Sequence, residues 1–144
     1  ALRIGKLTIA GLHATLKLFL SPQTIEQTHP TYRMLALTVD DLEPRAQAMA
    51  RALAGIAAQV EVIDGHSQVG SGSVPAEELP TRLPAVRPET ISAEDLARRL
   101  REHEPAVVTR IQHDAVLLDP RTIQPSEDEA VCGALSDVLP EASA

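Results

Sequence analysis

Aromatic side chains are almost missing: Phe19 and Tyr32 are the only two in 144 residues. That excludes a row of stacking rings for single-stranded nucleic acid. Lysine is nearly as scarce, since all but Lys6 and Lys17 of the 13 basic residues are arginine. A catalyst that works through a covalent lysine therefore has two candidates here. The single cysteine, Cys132, can form neither an internal disulfide nor a cysteine-based zinc site, which fits a reducing cytoplasm. No apolar run is long enough for a bilayer; the longest, Leu7 to Leu20, is broken by Thr8, His13, Thr15 and Lys17. No charged-then-apolar leader opens the chain, so export is not expected. The net charge of −7 has the wrong sign for nonspecific attraction to a phosphate backbone, and no DNA partner is expected.

What is present is ordinary globular composition, 44% apolar and 23% charged. The length suits one domain with a real core. The chain starts at Ala and drops at once into an apolar helix, which reads as a piece of something longer.

Periodicity predicts a helix over 7–20, apolar nearly all round and therefore in need of cover on several sides. Ser21-Pro22 ends it. A short extended run is expected at 32–37. Thr38 then caps a helix whose Leu42, Ala46, Met49 and Leu53 share one face, with Asp41 as capping-box partner and Gly55 as its stop. A strand is expected at 60–64, a turn-rich glycine and serine stretch, or a strand–turn–strand, at 65–75, and a short strand at 85–87 between Pro84 and Pro88. Ser92 and Asp95 open a helix to about Arg101. The runs 107–111 and 115–118 form a hairpin about Gln112-His113-Asp114. Ser126 with Glu129 starts the last helix, which buries Val131, Ala134, Leu135 and Val138. The order gives an α+β fold, helices packed on a small, mostly antiparallel sheet.

Most candidate reactive residues have a bland explanation. His13, His29, His66, His103 and His113 show no metal-ligand spacing, and no metal site is expected. The pairs Asp40-Asp41 and Glu77-Glu78 are adjacent, so their side chains diverge. Cys132 reads as a small buried hydrophobe. The run Gly70-Ser71-Gly72-Ser73 lacks the lysine of a phosphate-binding loop and reads as a tight bend. Arg98, Arg99 and Arg101 read as a solvated helix surface. Arg110 is different, because it interrupts the apolar run Val107 to Ile111. A guanidinium there needs an anion: either a carboxylate such as Asp119 or Asp114, or a ligand. Arg3 and Arg33 are similar with weaker context.

Taken in order, several stretches resemble the C-terminal part of the bacterial L-seryl-tRNA(Sec) selenium transferases, or selenocysteine synthases. They are ALRIGKLT at 1–8, GLHATLKLFL at 11–20, PTYRML at 30–35, SQVGSGSVP at 67–75, LARRL at 96–100, PAVVTRI at 105–111 and LDPRTI at 118–123. The resemblance runs from residue 1 to about 139. Gly5, Ser71 and Ala106 depart from the family's usual Asp, Gly and Pro.

The resemblance implies a fold type I pyridoxal-phosphate enzyme of the cytoplasm, a large ring of dimers. It implies conversion of L-seryl-tRNA(Sec) to L-selenocysteinyl-tRNA(Sec) with selenophosphate. This chain would be the smaller C-terminal domain, with the cofactor lysine upstream and no catalytic or cofactor-binding residue of its own. Lys6 does not match the motif around that lysine. Residues 1–20 would be an interdomain or association helix and 21–144 the α+β domain. Arg3 and Arg110 would be the substrate-binding cations, a task for which arginine is better suited than lysine. Two other classes stay open: the small domain of another fold type I enzyme, a cysteine desulfurase or transaminase, and a non-catalytic α+β binding module. The lysine motif upstream separates the first; a stable monomer with no exposed apolar helix favours the second.

Overall fold

The computed structural model describes residues 4–68 and 78–141. The chain divides into two compact units, Ala1–Leu37 and Thr38–Ala144. The sequence places its division after residue 20. The first unit holds the helix expected at 7–20 together with the short helices that follow it.

Among the described residues, the regular structure of the first unit is all helix. Helix α1 (Lys6–Leu18) is followed by a single 3-10 turn at Pro22–Thr24, α2 (Ile25–Thr28) and α3 (Pro30–Ala36). No residue of α1 is buried, and Leu7 is 90% exposed. The strand expected at 32–37 is therefore corrected to helix. Pro30 takes the first helical position, where its missing N–H costs nothing, and extended His29 precedes it as the cap. Phe19, His29 and Tyr32 meet edge to face, with ring centroids 5.2–6.0 Å apart.

The second unit opens with α4 (Val39–Ala52), and the box that starts it is the expected one. Asp41 N–H donates to Thr38 Oγ1 at 3.2 Å, while Thr38 N–H and Oγ1 donate to Asp41 Oδ2 at 2.9 and 2.6 Å. Leu42, Ala46 and Met49 are buried, and Gly55 takes φ +97° beyond the helix end. The Thr38 hydroxyl, then its backbone N–H, hold the Asp41 carboxyl below its ordinary value of 3.8, against a smaller opposing effect of burial. A depressed folded-state pKa gives stability that is complete above the unfolded value and lost as pH falls through the folded one. Thr38→Val should thus lower the melting temperature by about a few degrees at neutral pH. Because Thr38 holds the Asp41 carboxylate, the gap from wild type should narrow once the pH drops below 3.8. Melting curves across that range test it, and a gap independent of pH overturns the assignment.

The strands are longer than expected. β1 (Ala58–Gln68) and β2 (Glu78–Pro88) pair antiparallel along their whole length. Gly65, the first residue of the stretch expected to be turn-rich or strand–turn–strand, lies inside β1. A Cβ there would stand 2.3 Å from Leu83 Cδ1, so the glycine makes room for the neighbouring leucine. Pro84 and Pro88, read as strand boundaries, lie inside β2, as does Pro80. Glu89 N–H donates to Ala57 O and Leu118 N–H donates to Pro84 O. The odd positions of β2 thus turn to β1 and the even ones, prolines included, turn to the other side. The prolines therefore take no donor from the β1 ladder, and on the β4 side Pro84 bonds through its carbonyl alone.

Helix α5 (Ala93–Glu102) starts at Ser92, whose Oγ accepts from Asp95 N–H at 3.1 Å. Only that half of the expected box forms, since the Asp95 carboxylate accepts from Arg98 instead. β3 (Arg110–Gln112) and β4 (Ala115–Leu117) form the hairpin, with φ +49° and +57° at His113 and Asp114, the signature of a tight two-residue turn. Residues 107–109 precede the strand rather than belong to it. The sheet order is β1-β2-β4-β3, all antiparallel. A 3-10 turn at Pro125–Glu127 leads into α6 (Asp128–Val138). The box that opens it joins Gln124 and Glu127, not Ser126 and Glu129, because Pro125 starts the turn earlier. Val131, Ala134 and Leu135 are buried as expected, and Val138 is half-buried.

The main core sets Val86, Val116 and Leu118 from the sheet against Met49, Leu96, Leu100 and Leu135 of the helices. Leu83, Ala85, Ala115 and Leu117, alternating with these, form a smaller cluster on the opposite sheet face. This is the α+β arrangement expected. No helix of the described residues is long and apolar enough to cross a membrane.

Candidate functional site

Arg3 lies outside the described residues, as does the run at 70–73. Arg110 opens β3, an edge strand, and pairs with Leu117 of β4. Directly opposed residues of an antiparallel ladder share a face. The Arg110 side chain therefore stands on the Leu83, Ala85 and Leu117 side of the sheet, away from the main core. It is exposed and, among the described residues, has no carboxylate within ion-pair distance. It lines an open groove of about 390 Å³, together with Ser67, Gln68, Val108, Thr109, Asp119 and Thr122.

Asp119, the carboxylate nearest to the strand hairpin in sequence after Asp114, is engaged elsewhere. Asp119 Oδ2 accepts from Ser67 Oγ at 2.6 Å, and Oδ1 accepts from Thr81 Oγ1 at 3.0 Å and from Arg121 N–H at 3.1 Å. Asp114 sits in the hairpin turn and forms no ion pair among the described residues. The Asp119 backbone carbonyl accepts from Thr122 N–H and Thr122 Oγ1, which makes 119–122 a closed turn. Arg121 is 4% exposed, and one of its amino groups donates to Pro80 O at 2.7 Å. Burial pushes its pKa down, and the charge of Asp119 partly offsets this.

A second arginine holds the same turn from α4. Arg45 donates to Pro120 O at 2.7 Å, to Ile123 O at 3.0 Å and, through a two-pronged contact at 2.5 and 3.0 Å, to the Asp128 carboxylate. Neither Arg45 nor the Ser67 and Thr81 hydroxyls stood out in the sequence. The only available signal was the LDPRTI run itself, an Asp-Pro turn start beside an apolar strand.

The remaining candidates are not brought into one site. His103 contacts Asp137 at 3.2 Å, and His66 lies 3.9 Å from Glu78. No group of three or more His, Cys, Asp or Glu side chains that would hold a metal occurs among the described residues. Cys132 is buried on α6, and burial first, then Asp128, pushes its thiol pKa up, which makes it a poor nucleophile. Arg98 bridges Asp95 and Glu102, both at 3.0 Å, along the surface of α5. Lys6 and Lys17, the only lysines, both lie on α1, which buries no side chain. A cofactor lysine requires an enclosing pocket that tunes its amine. The residues described here do not fit a pyridoxal-phosphate site.

Comparison with known proteins gives one consistent result. The family model described as L-seryl-tRNA selenium transferase matches residues 1–124. The chain is 42% identical over 142 residues to the L-seryl-tRNA(Sec) selenium transferase of Nitratidesulfovibrio vulgaris, covering 96% of this chain and 30% of the relative. It is 40% identical to that of Maridesulfovibrio salexigens, over 96% of this chain and 31% of the relative. The Moorella thermoacetica enzyme is 38% identical, over 96% and 30%. The chain thus spans about 30% of the length of the curated relatives it matches. By the extent of the family match and the identity along nearly all of its length, the chain belongs to the L-seryl-tRNA selenium transferase family.

Proposed function

We propose that this chain works as the C-terminal part of a longer transferase that converts L-seryl-tRNA(Sec) to L-selenocysteinyl-tRNA(Sec) with selenophosphate. The observation that carries the reading is the 42% identity over 96% of the chain to a protein of that name. Pyridoxal phosphate would be held by sequence outside these residues, a reading supported by the exposure of both lysines on α1. What this chain contributes is a positioned cation. Arg110 stands exposed in a groove whose own carboxylate is already satisfied, and a guanidinium is suited to a phosphate-like anion in two-pronged contact. Arg3 is the other substrate-binding cation of this reading.

Helix α1 is the association surface of this reading, within a ring of dimers in the cytoplasm. Ile9, Leu12 and Leu16 are all more than half exposed, which is a large apolar area for a helix that faces water.

The test uses two proteins. The full-length enzyme should form selenocysteinyl-tRNA from seryl-tRNA(Sec) and selenophosphate. The 144-residue chain alone should show no turnover and, after incubation with pyridoxal phosphate and borohydride, no stoichiometric label. A full label fixed on Lys6 or Lys17 overturns the placement of the cofactor. A full-length protein that binds the cofactor but transfers no selenium to the charged tRNA overturns the function.

A further inference from the structure

Arg110 and Asp119 line one groove, yet they do not pair. Two opposite charges on the same face of a small sheet ordinarily close on each other, and an arginine closed on a carboxylate no longer attracts another anion. Asp119 lies only two residues beyond Leu117, the ladder partner of Arg110. Its distance in sequence and its charge both favour the pair, so something holds it off.

Three donors do so. Ser67 at the end of β1 and Thr81 in β2 each donate a hydroxyl to the carboxylate, at 2.6 and 3.0 Å, and Arg121 N–H adds a third bond at 3.1 Å. Ser67 and Thr81 are 4% and 2% exposed, so their hydroxyls have given up water and depend on this acceptor. A buried hydroxyl without a partner is costly, which ties the carboxylate to both strands at once. The nearby Arg121 charge partly compensates Asp119, which lowers its demand for a second cation.

We infer that Ser67 and Thr81 are positioning residues that keep Asp119 off Arg110, leaving that guanidinium to the phosphate-like anion of the substrate. The inference rests on the reading of Arg110 given above. The two hydroxyls touch neither substrate nor reacting atoms; they act through Asp119.

The experiment measures KM for selenophosphate, kcat and melting temperature in the full-length enzyme. Removing both hydroxyls with Ser67→Ala and Thr81→Val frees the carboxylate to compete for Arg110. KM for selenophosphate should rise about three- to fivefold, the weight of one part-exposed ion pair, with kcat little changed. Adding Asp119→Asn to that double variant removes the competing charge and should restore KM, whereas a purely structural role gives no such rescue. In an Arg110→Ala background the double variant should leave KM where Arg110→Ala alone put it. If the double variant fails to fold, Ser67→Ala with and without Asp119→Asn carries the same comparison. A raised KM that Asp119→Asn does not restore, or an unchanged KM, overturns this inference while the reading of Arg110 stands. An Arg110→Ala enzyme with wild-type kinetics overturns both.

Discussion

Replacing Arg110 by alanine in the full-length enzyme is expected to cut selenium transfer roughly a hundred- to a thousandfold. That is the usual loss when a fixed charged donor is taken from a site where charge develops, about 3–4 kcal/mol of transition-state binding. The fold should not notice. Arg110 is exposed, sits on an edge strand and has no carboxylate within ion-pair distance among the described residues, so little stability hangs on it. Arg110→Lys should recover only part of the activity, because an ammonium is a point charge and does not copy a planar fork. Turnover and melting temperature measured on the same variants decide the matter. A large fall in melting temperature with near-normal turnover makes Arg110 a structural residue and removes it from the site.

The helices that start with a clear cap were legible in the sequence, because their signal is local. Thr38 with Asp41, and Ser92 with Asp95, each lie three residues apart and need nothing from the rest of the chain. Residues 32–37 were misread because the apolar residues around Tyr32 outweighed the plainer sign of Pro30 at a first helical turn. β1 and β2 were read too short for a different reason. Gly65 and the prolines of β2 are strand breakers by composition, and what makes them harmless is tertiary. Leu83 needs the space at Gly65, and the prolines turn away from β1, so that ladder loses no donor.

The groove was half legible in the same sense. Arg110 stands out because a charge interrupts an apolar run. The donors that fix Asp119 do not, since Ser67 and Thr81 are 52 and 38 residues away from it and carry no motif of their own. Long-range hydroxyl-to-carboxylate bonds leave no periodicity to read.

Arg45 carries no local signal for the same reason, and its removal should give a large loss of stability. It reaches Asp128, 83 residues on, through a two-pronged contact, and it also closes the carbonyls of Pro120 and Ile123. The two side chains are only 20% and 27% exposed, so water replaces these bonds poorly. Arg45→Ala deletes four donor contacts and leaves a part-buried carboxylate with no cation, at a cost of about 3 kcal/mol. In a unit of this size that corresponds to a drop of roughly 10 °C or more in melting temperature. Arg45→Lys should restore only a minor share, since one ammonium cannot serve the carboxylate and both carbonyls together. Asp128→Asn should cost less than Arg45→Ala, because the guanidinium keeps its two carbonyls. Urea unfolding of the three variants measures the order directly. If Arg45→Ala costs less than Asp128→Asn, the carbonyl contacts contribute nothing and the arginine is an ordinary surface ion pair. If the predicted order holds, Arg45 fixes the turn that carries Asp119, linking the stability of α4 and α6 to the shape of the groove.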